Sequence, residues 1–157
     1  MALNYAQPDL NDYADRIANI LQSVREIPVI DVGFSGRLNA PFWLYELQVS
    51  NLNGNQPFAS GVYEIGFSCQ IFLARGRLEQ SATYAQTRRQ INDDLMDTWM
   101  AFFTRSGFVV GEYEGEPLGY VPASLRITEG NVRTYGGERG FVGSQYRLSW
   151  RHRVVLS

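Results

Sequence analysis

Leu10, Tyr13, Ala14, Ile17, Leu21 and Val24 recur at steps of three and four residues, and Asp12, Asp15, Arg16, Asn19 and Gln22 fall between them. That spacing predicts an amphipathic helix with one buried stripe. Asp9 stands where an N-cap is needed to satisfy free backbone N–H groups, and Pro28 ends the segment. A lone helix of this length is marginal in water, so it is expected to dock on something. From Val29 the period changes. Residues 29–34 form a short apolar run before the turn signal Ser35-Gly36, and 42–49 are rich in strand formers. Residues 50–60, with Asn51, Asn53, Gly54, Asn55 and Pro57, read as a long polar loop. Residues 62–75 alternate: Tyr63, Ile65, Phe67, Cys69, Ile71 and Leu73 face one way, and Glu64, Gly66, Ser68 and Gln70 the other. A period of two predicts a long strand with one buried face.

A second helix is expected over 81–105, with Ser81 as its cap and Gly107 as its stop. Tyr84, Ile91, Leu95, Trp99 and Phe102 form its stripe, Met96 and Phe103 widen it, and Arg88, Arg89, Asp93, Asp94 and Asp97 lie mostly opposite. Residues 120–128 read as a strand with Val121, Ala123, Leu125 and Ile127 on one face, and Pro122 marks a strand end or sheet edge. Residues 129–140, containing Gly130, Gly136, Gly137 and Gly140, read as a long mobile hairpin connection. Residues 141–156 alternate strongly, with Val142, Tyr146, Leu148, Trp150, Val154 and Leu156 inward and Gln145, Arg147, Ser149, Arg151 and Arg153 outward. The order helix, strands, helix, strands predicts an α+β fold: a mostly antiparallel sheet with an N-terminal and a central amphipathic helix packed on one face. A chain of 157 residues fits one domain over 1–157.

Phe42, Trp43, Leu44, Tyr45 and Leu47 put bulky apolar side chains on both faces of one strand. Helices cover one face of such a sheet. The other is expected to be covered by a neighbouring subunit, which makes the chain an oligomer.

Composition narrows the chemistry. All 14 basic residues are Arg, none is Lys, and the net charge is −2. A P-loop, a Schiff-base enzyme and a lysine general base are thereby excluded, and binding nucleic acid through total charge is not expected. Cys69 and His152 are the only residues of their kinds, so an internal disulfide and a zinc site of the usual N/S type are excluded. Cys69 is expected to be a small buried hydrophobe. No G-x-S-x-G elbow accompanies His152. No catalytic, cofactor-binding or metal-binding residue is therefore expected. Asp9, Asp12 and Asp15 near the start argue against a signal peptide, and no apolar run approaches the length of a membrane span.

Two charged constellations remain. Arg147, Arg151 and Arg153 share one face of the last strand, where they meet either neighbouring-strand carboxylates, the carboxylates of another subunit, or a phosphate backbone. Glu112, Glu114 and Glu116 are complementary in sign and form either a solvated acidic loop or a partner contact. With Trp43 and Tyr45, these six are the candidate interface residues. Glu64, Ser68 and Gln70 align on one strand face and are the polar groups a small-molecule pocket would use.

The layout of 9–24, 42–49, 62–75, 81–105 and 120–156 resembles the tail-terminator (tail-completion) proteins of tailed bacteriophages. The resemblance implies a structural virion protein without enzymatic activity. It forms a homohexameric ring that ends the tail tube and joins it to the head, with tube and neck proteins as partners. The loops at 50–60 and 128–140 would contact them, and DNA would pass through the lumen without being read. It also implies synthesis in the host cytoplasm and incorporation into the virion. Other readings are a different head–tail connector, a tail-tube subunit, or a small-molecule-binding domain or enzyme.

Overall fold

A computed structural model describes residues 8–31, 39–50, 61–77, 84–103, 117–121, 123–135 and 140–155. Helix α1 (Leu10–Val24) is capped by Asp9, whose carboxylate accepts from the Asn11 backbone N–H at 2.9 Å. Its stripe Tyr13, Ile17, Ile20 and Leu21 is fully buried. Helix α2 spans Tyr84–Phe103. Five strands, β1 (Val29–Asp31), β2 (Phe42–Ser50), β3 (Val62–Arg77), β4 (Arg126–Tyr135) and β5 (Phe141–Val155), form one sheet in the order β1-β2-β3-β5-β4. Only β1 and β2 run parallel; the other neighbours are antiparallel. The fold is α+β, as the alternating periods imply.

Cross-strand register explains which side chains meet the helices. Trp43, Leu73 and Ser144 stand in one row, Tyr45, Ile71 and Tyr146 in the next, and Leu47, Cys69 and Leu148 in a third. With Phe67 and Trp150, stacked at 5.7 Å between ring centroids, these residues form the main core beneath Tyr13, Ile17, Ile20, Leu21 and Phe102 of the helices. The opposite face has two halves. At one end Phe42, Leu44, Phe72, Ala74 and Phe141 form a second apolar cluster. This cluster is buried within the chain itself, so the doubly apolar β2 needs no neighbouring subunit to account for Phe42 and Leu44. The other half carries Glu64, Ser68, Gln70, Arg147, Ser149, Arg151 and Arg153, and among the described residues no helix packs over it.

Two expectations change. Strand β4 covers 126–135, so much of the expected 129–140 connection is paired strand, while residues 120, 121 and 123–125 form no regular strand. Polar residues can occupy β4 because it lies at the sheet edge and pairs only with β5 among the described residues. One of its close contacts depends on a missing side chain: a Cβ on Gly130 would sit 3.1 Å from the Trp99 ring. The upstream segment instead closes the rest of the β5 edge. Val121 N–H donates to Arg151 O, Arg153 N–H to Gly119 O, and Arg151 N–H to Ser124 Oγ. The second change concerns α2. Met96 and Phe103 do not widen its buried stripe; they are 61% and 71% exposed.

Candidate functional site

Strand β3 and strand β5 set Glu64 opposite Arg153 and Gly66 opposite Arg151. The Glu64 carboxylate is 3.3 and 3.5 Å from Arg151 Nη1 and 3.4 Å from Arg153 Nε. Glu64 is buried under these guanidiniums, whereas their own side chains remain 41% and 35% exposed. Of the alternatives open for this stripe, the neighbouring-strand carboxylate is therefore present for Arg151 and Arg153. Arg147 differs. Its nearest carboxylate is Glu129 across the strand pair, at 4.0 Å. The side-chain amide of Asn131 donates to Glu129 at 2.6 Å, and with Arg133 and Arg147 it holds that carboxyl below its usual range.

Beside these arginines lies a cavity of about 370 Å³ lined by Ser68, Ser124, Ser149, Arg126 and Arg151. Small hydroxylated residues on adjacent strands make its floor, since Ser68 and Ser149 are register partners. Arg126 turns back on its own backbone, donating to the carbonyls of Ala123 and Leu125 at 2.6 and 3.2 Å. The open face thus offers three partly exposed guanidiniums in line, with one buried carboxylate beneath two of them. Such a surface suits carboxylate or phosphate oxygens.

The helix-covered face holds a second charged group that the sequence pattern hid. Asp94 is fully buried on α2. Arg75 grips it with two bonds of 2.6 and 2.7 Å, and Arg25 Nε lies 3.2 Å away. Arg25 also pairs with Asp97, and these two carboxylates raise its already high pKa. Nearby, the hydroxyls of Thr98, Ser144 and Tyr146 are enclosed together without reaching hydrogen-bonding geometry. Burial pushes the Tyr146 hydroxyl up to about 12.

The two singular residues sit apart from any such surface. Cys69 is buried in the sheet centre, and burial pushes its thiol up to about 12. His152 is buried with its Nδ1 2.8 Å from the Tyr13 hydroxyl, joining β5 to α1. Burial also raises the Tyr13 hydroxyl. Gly119, at φ +95°, lies against the other ring nitrogen; a Cβ there would fall 2.4 Å from His152 Nε2. Among the described residues no three His, Cys, Asp or Glu gather as a metal site. No described helix is long and apolar enough to cross a membrane.

The structure separates the candidate interface residues. Trp43 lies inside the core, where its indole N–H donates to Arg25 O at 3.2 Å, and Tyr45 packs against the same cluster. Arg147, Arg151 and Arg153 share the open face. Glu112, Glu114 and Glu116 lie outside the described residues, as do positions 51–60 and 136–139. Sequence reasoning missed Asp94, Arg25 and Arg75; the only available signal was an acidic residue one turn before Thr98 on the apolar side of α2. No family model and no curated protein matches the chain.

Proposed function

We propose that this protein is a structural subunit that closes into a ring, and that the ring ends a phage tail tube and joins it to the neck. The observation that carries the assembly reading is the outer surface of α2. Met96, Met100 and Phe103 recur at four- and three-residue steps and are 61%, 46% and 71% exposed. A contiguous apolar stripe on a water-facing helix marks a contact surface. The phage assignment rests on the resemblance of the element layout. The enclosed positions of Cys69 and His152 support a non-enzymatic role, because both side chains have packing roles. The arginine face is the surface offered to acidic groups of tube or neck proteins.

Light scattering and negative-stain microscopy of the purified protein test this reading. A closed ring is expected; six copies of 17.8 kDa give about 107 kDa. Long spontaneous tubes would favour a tail-tube subunit, and a monomer that binds metabolites would overturn both. The arginine face is best probed through Arg147→Glu. Reversing Arg151 and Arg153 instead would surround the buried Glu64 with carboxylates and unsettle the monomer itself.

A further inference from the structure

Among the described residues the sheet has two strand edges without a partner strand, toward the two ends of the strand order. One is the outer edge of β4. The other is the second half of β2: among the described residues β1 pairs with Trp43, Leu44 and Tyr45, and no described strand lies beside residues 46–50 on that side. Burial follows the same boundary: Phe42, Trp43 and Leu44 are buried, whereas Glu46, Gln48 and Val49 are exposed. Unpaired edges at both ends of a sheet invite head-to-tail joining, which gives a ring when the rotation closes. Strands β2, β3, β5 and β4 alternate in direction, so a β4 edge meeting the β2 edge of a second copy is antiparallel without any change of orientation.

We propose that copies of this chain join by pairing residues 129–133 of β4 with residues 46–50 of β2 in the next copy. The proposal rests on the ring reading and places its junction. Two strands in one sheet must match faces, and this limits the register. Glu46 shares the open face with Glu129, Asn131 and Arg133, through the rows that link Glu46, Gln70, Arg147 and Glu129. Opposite Glu129, Glu46 would meet a like charge. Opposite Arg133 it meets the opposite charge, at a position exposed in the monomer. That register also sets Gln48 against Asn131, Leu47 against Val132, and Val49 against Gly130. Val49 and Val132, 54% and 38% exposed alone, become covered. Trp99, already resting on Gly130, then roofs Val49 of the next copy. At about 100° per residue, Phe103 and Met96 follow Trp99 around α2 on the same side.

The stagger fits closure. Following the paired row from Glu46 through Gln70 and Arg147 to Glu129, the junction leads to Ser50 of the next copy. That is a shift of four residues over four strands, or one residue per strand. Barrels close with about this ratio; an eight-stranded barrel of shear eight has it, with a strand tilt of about 36°. The helix α2 crosses between the parallel strands β3 and β4. With the right-handed crossover that such units follow, the shift has the sign that puts both helices on the outer rim. The open arginine face then turns inward, where it meets the acidic groups that a tube or neck protein inserts into the mouth of the ring.

Cysteine cross-linking tests the junction. Gln48→Cys and Asn131→Cys in one chain place two thiols directly opposite across the junction, within disulfide reach. The native Cys69 is buried and stays out of the reaction. Mild oxidation is expected to yield a ladder of covalent oligomers ending at the ring, with neither single variant giving it. Charge reversal is the second arm. Glu46→Arg and Arg133→Glu are each expected to weaken ring formation about tenfold or more, and the double variant to restore most of it. A wild-type chain that stays monomeric overturns the ring reading and the junction with it. A ring that forms without the ladder, or in which the double reversal rescues nothing, overturns the junction alone. Helices on the inner rim in electron microscopy would also overturn it.

Discussion

Two carboxylates, one on each face of the sheet, are each held by two arginines, and the two groups behave differently. Asp94 lies on the helix-covered face, with bonds of 2.6 and 2.7 Å to Arg75 and a contact of 3.2 Å to Arg25. Glu64 lies on the open face, with contacts of 3.3 and 3.4 Å to Arg151 and Arg153. Both carboxylates are out of water. The difference is in the cations. Arg75 is largely enclosed, whereas Arg151 and Arg153 keep more than a third of their side chains in solvent. A guanidinium that can turn to water loses little when its partner is removed; one held in a core does not. The first group therefore fixes α1 and α2 onto β3. The second leaves two cations available to an outside partner while keeping Glu64 neutralised.

Breaking each group should expose this asymmetry. Asp94→Ala leaves Arg75 and Arg25 facing each other in a partly buried site and is expected to cost about 3–5 kcal/mol, read as a lowered urea midpoint. Glu64→Ala is expected to cost about 1 kcal/mol or less. Equal losses in the two variants would show that both faces are locked.

Raising the pH separates the faces next. Burial lifts the Cys69 thiol from 9.0 to about 12 and the Tyr146 hydroxyl from 10.0 to about 12, and raises Tyr13 further. Groups with raised folded-state pKa values stabilise fully below their unfolded values and lose that contribution as pH rises toward the folded ones. Stability should therefore fall between about pH 9 and 12, and Cys69→Ala should flatten the first part of that fall in denaturant titrations.

Smaller effects are expected on the open face. Arg147→Glu should change monomer stability by about 0.5 kcal/mol or less, because the Glu129 carboxylate beside it sits at 4.0 Å. Its larger effect should be on partner binding. Smallest of all is Glu129→Gln. Its depressed carboxyl pKa stabilises above the unfolded value, about 4.3, and that contribution disappears as pH falls through the folded one. The variant should slightly reduce the acid sensitivity of thermal unfolding.

Much of the fold is legible in the chain because the two sheet faces differ in polarity. The alternation of 63–73 and 142–154 records that difference directly, as the stripe of α1 records its docking. Strand β4 is not legible. At an edge, Thr128, Gly130, Val132 and Thr134 are all exposed, so alternation carries no contrast. Asp94 is hidden for another reason: its partners Arg25 and Arg75 are distant in sequence, and only the folded sheet brings them together. On α2, Met96 and Phe103 look like core from composition alone. Whether a helical apolar residue faces the sheet or the solvent depends on where the stripe ends, and the sequence does not mark that end. The open arginine face was visible from the two-residue spacing of β5, but its buried counter-ion Glu64 required the β3–β5 register.

Strand β5 has a consequence for synthesis. It lies between β3 and β4 and contributes Tyr146, Leu148 and Trp150 to the core, and its His152 is bonded to Tyr13, 139 residues earlier. Everything made before it, both helices included, therefore lacks a finished sheet to rest on. Contacts this distant in sequence form slowly. A nascent chain should therefore remain unfolded until β5 has emerged and slotted between β3 and β4, so no shorter intermediate is competent to assemble.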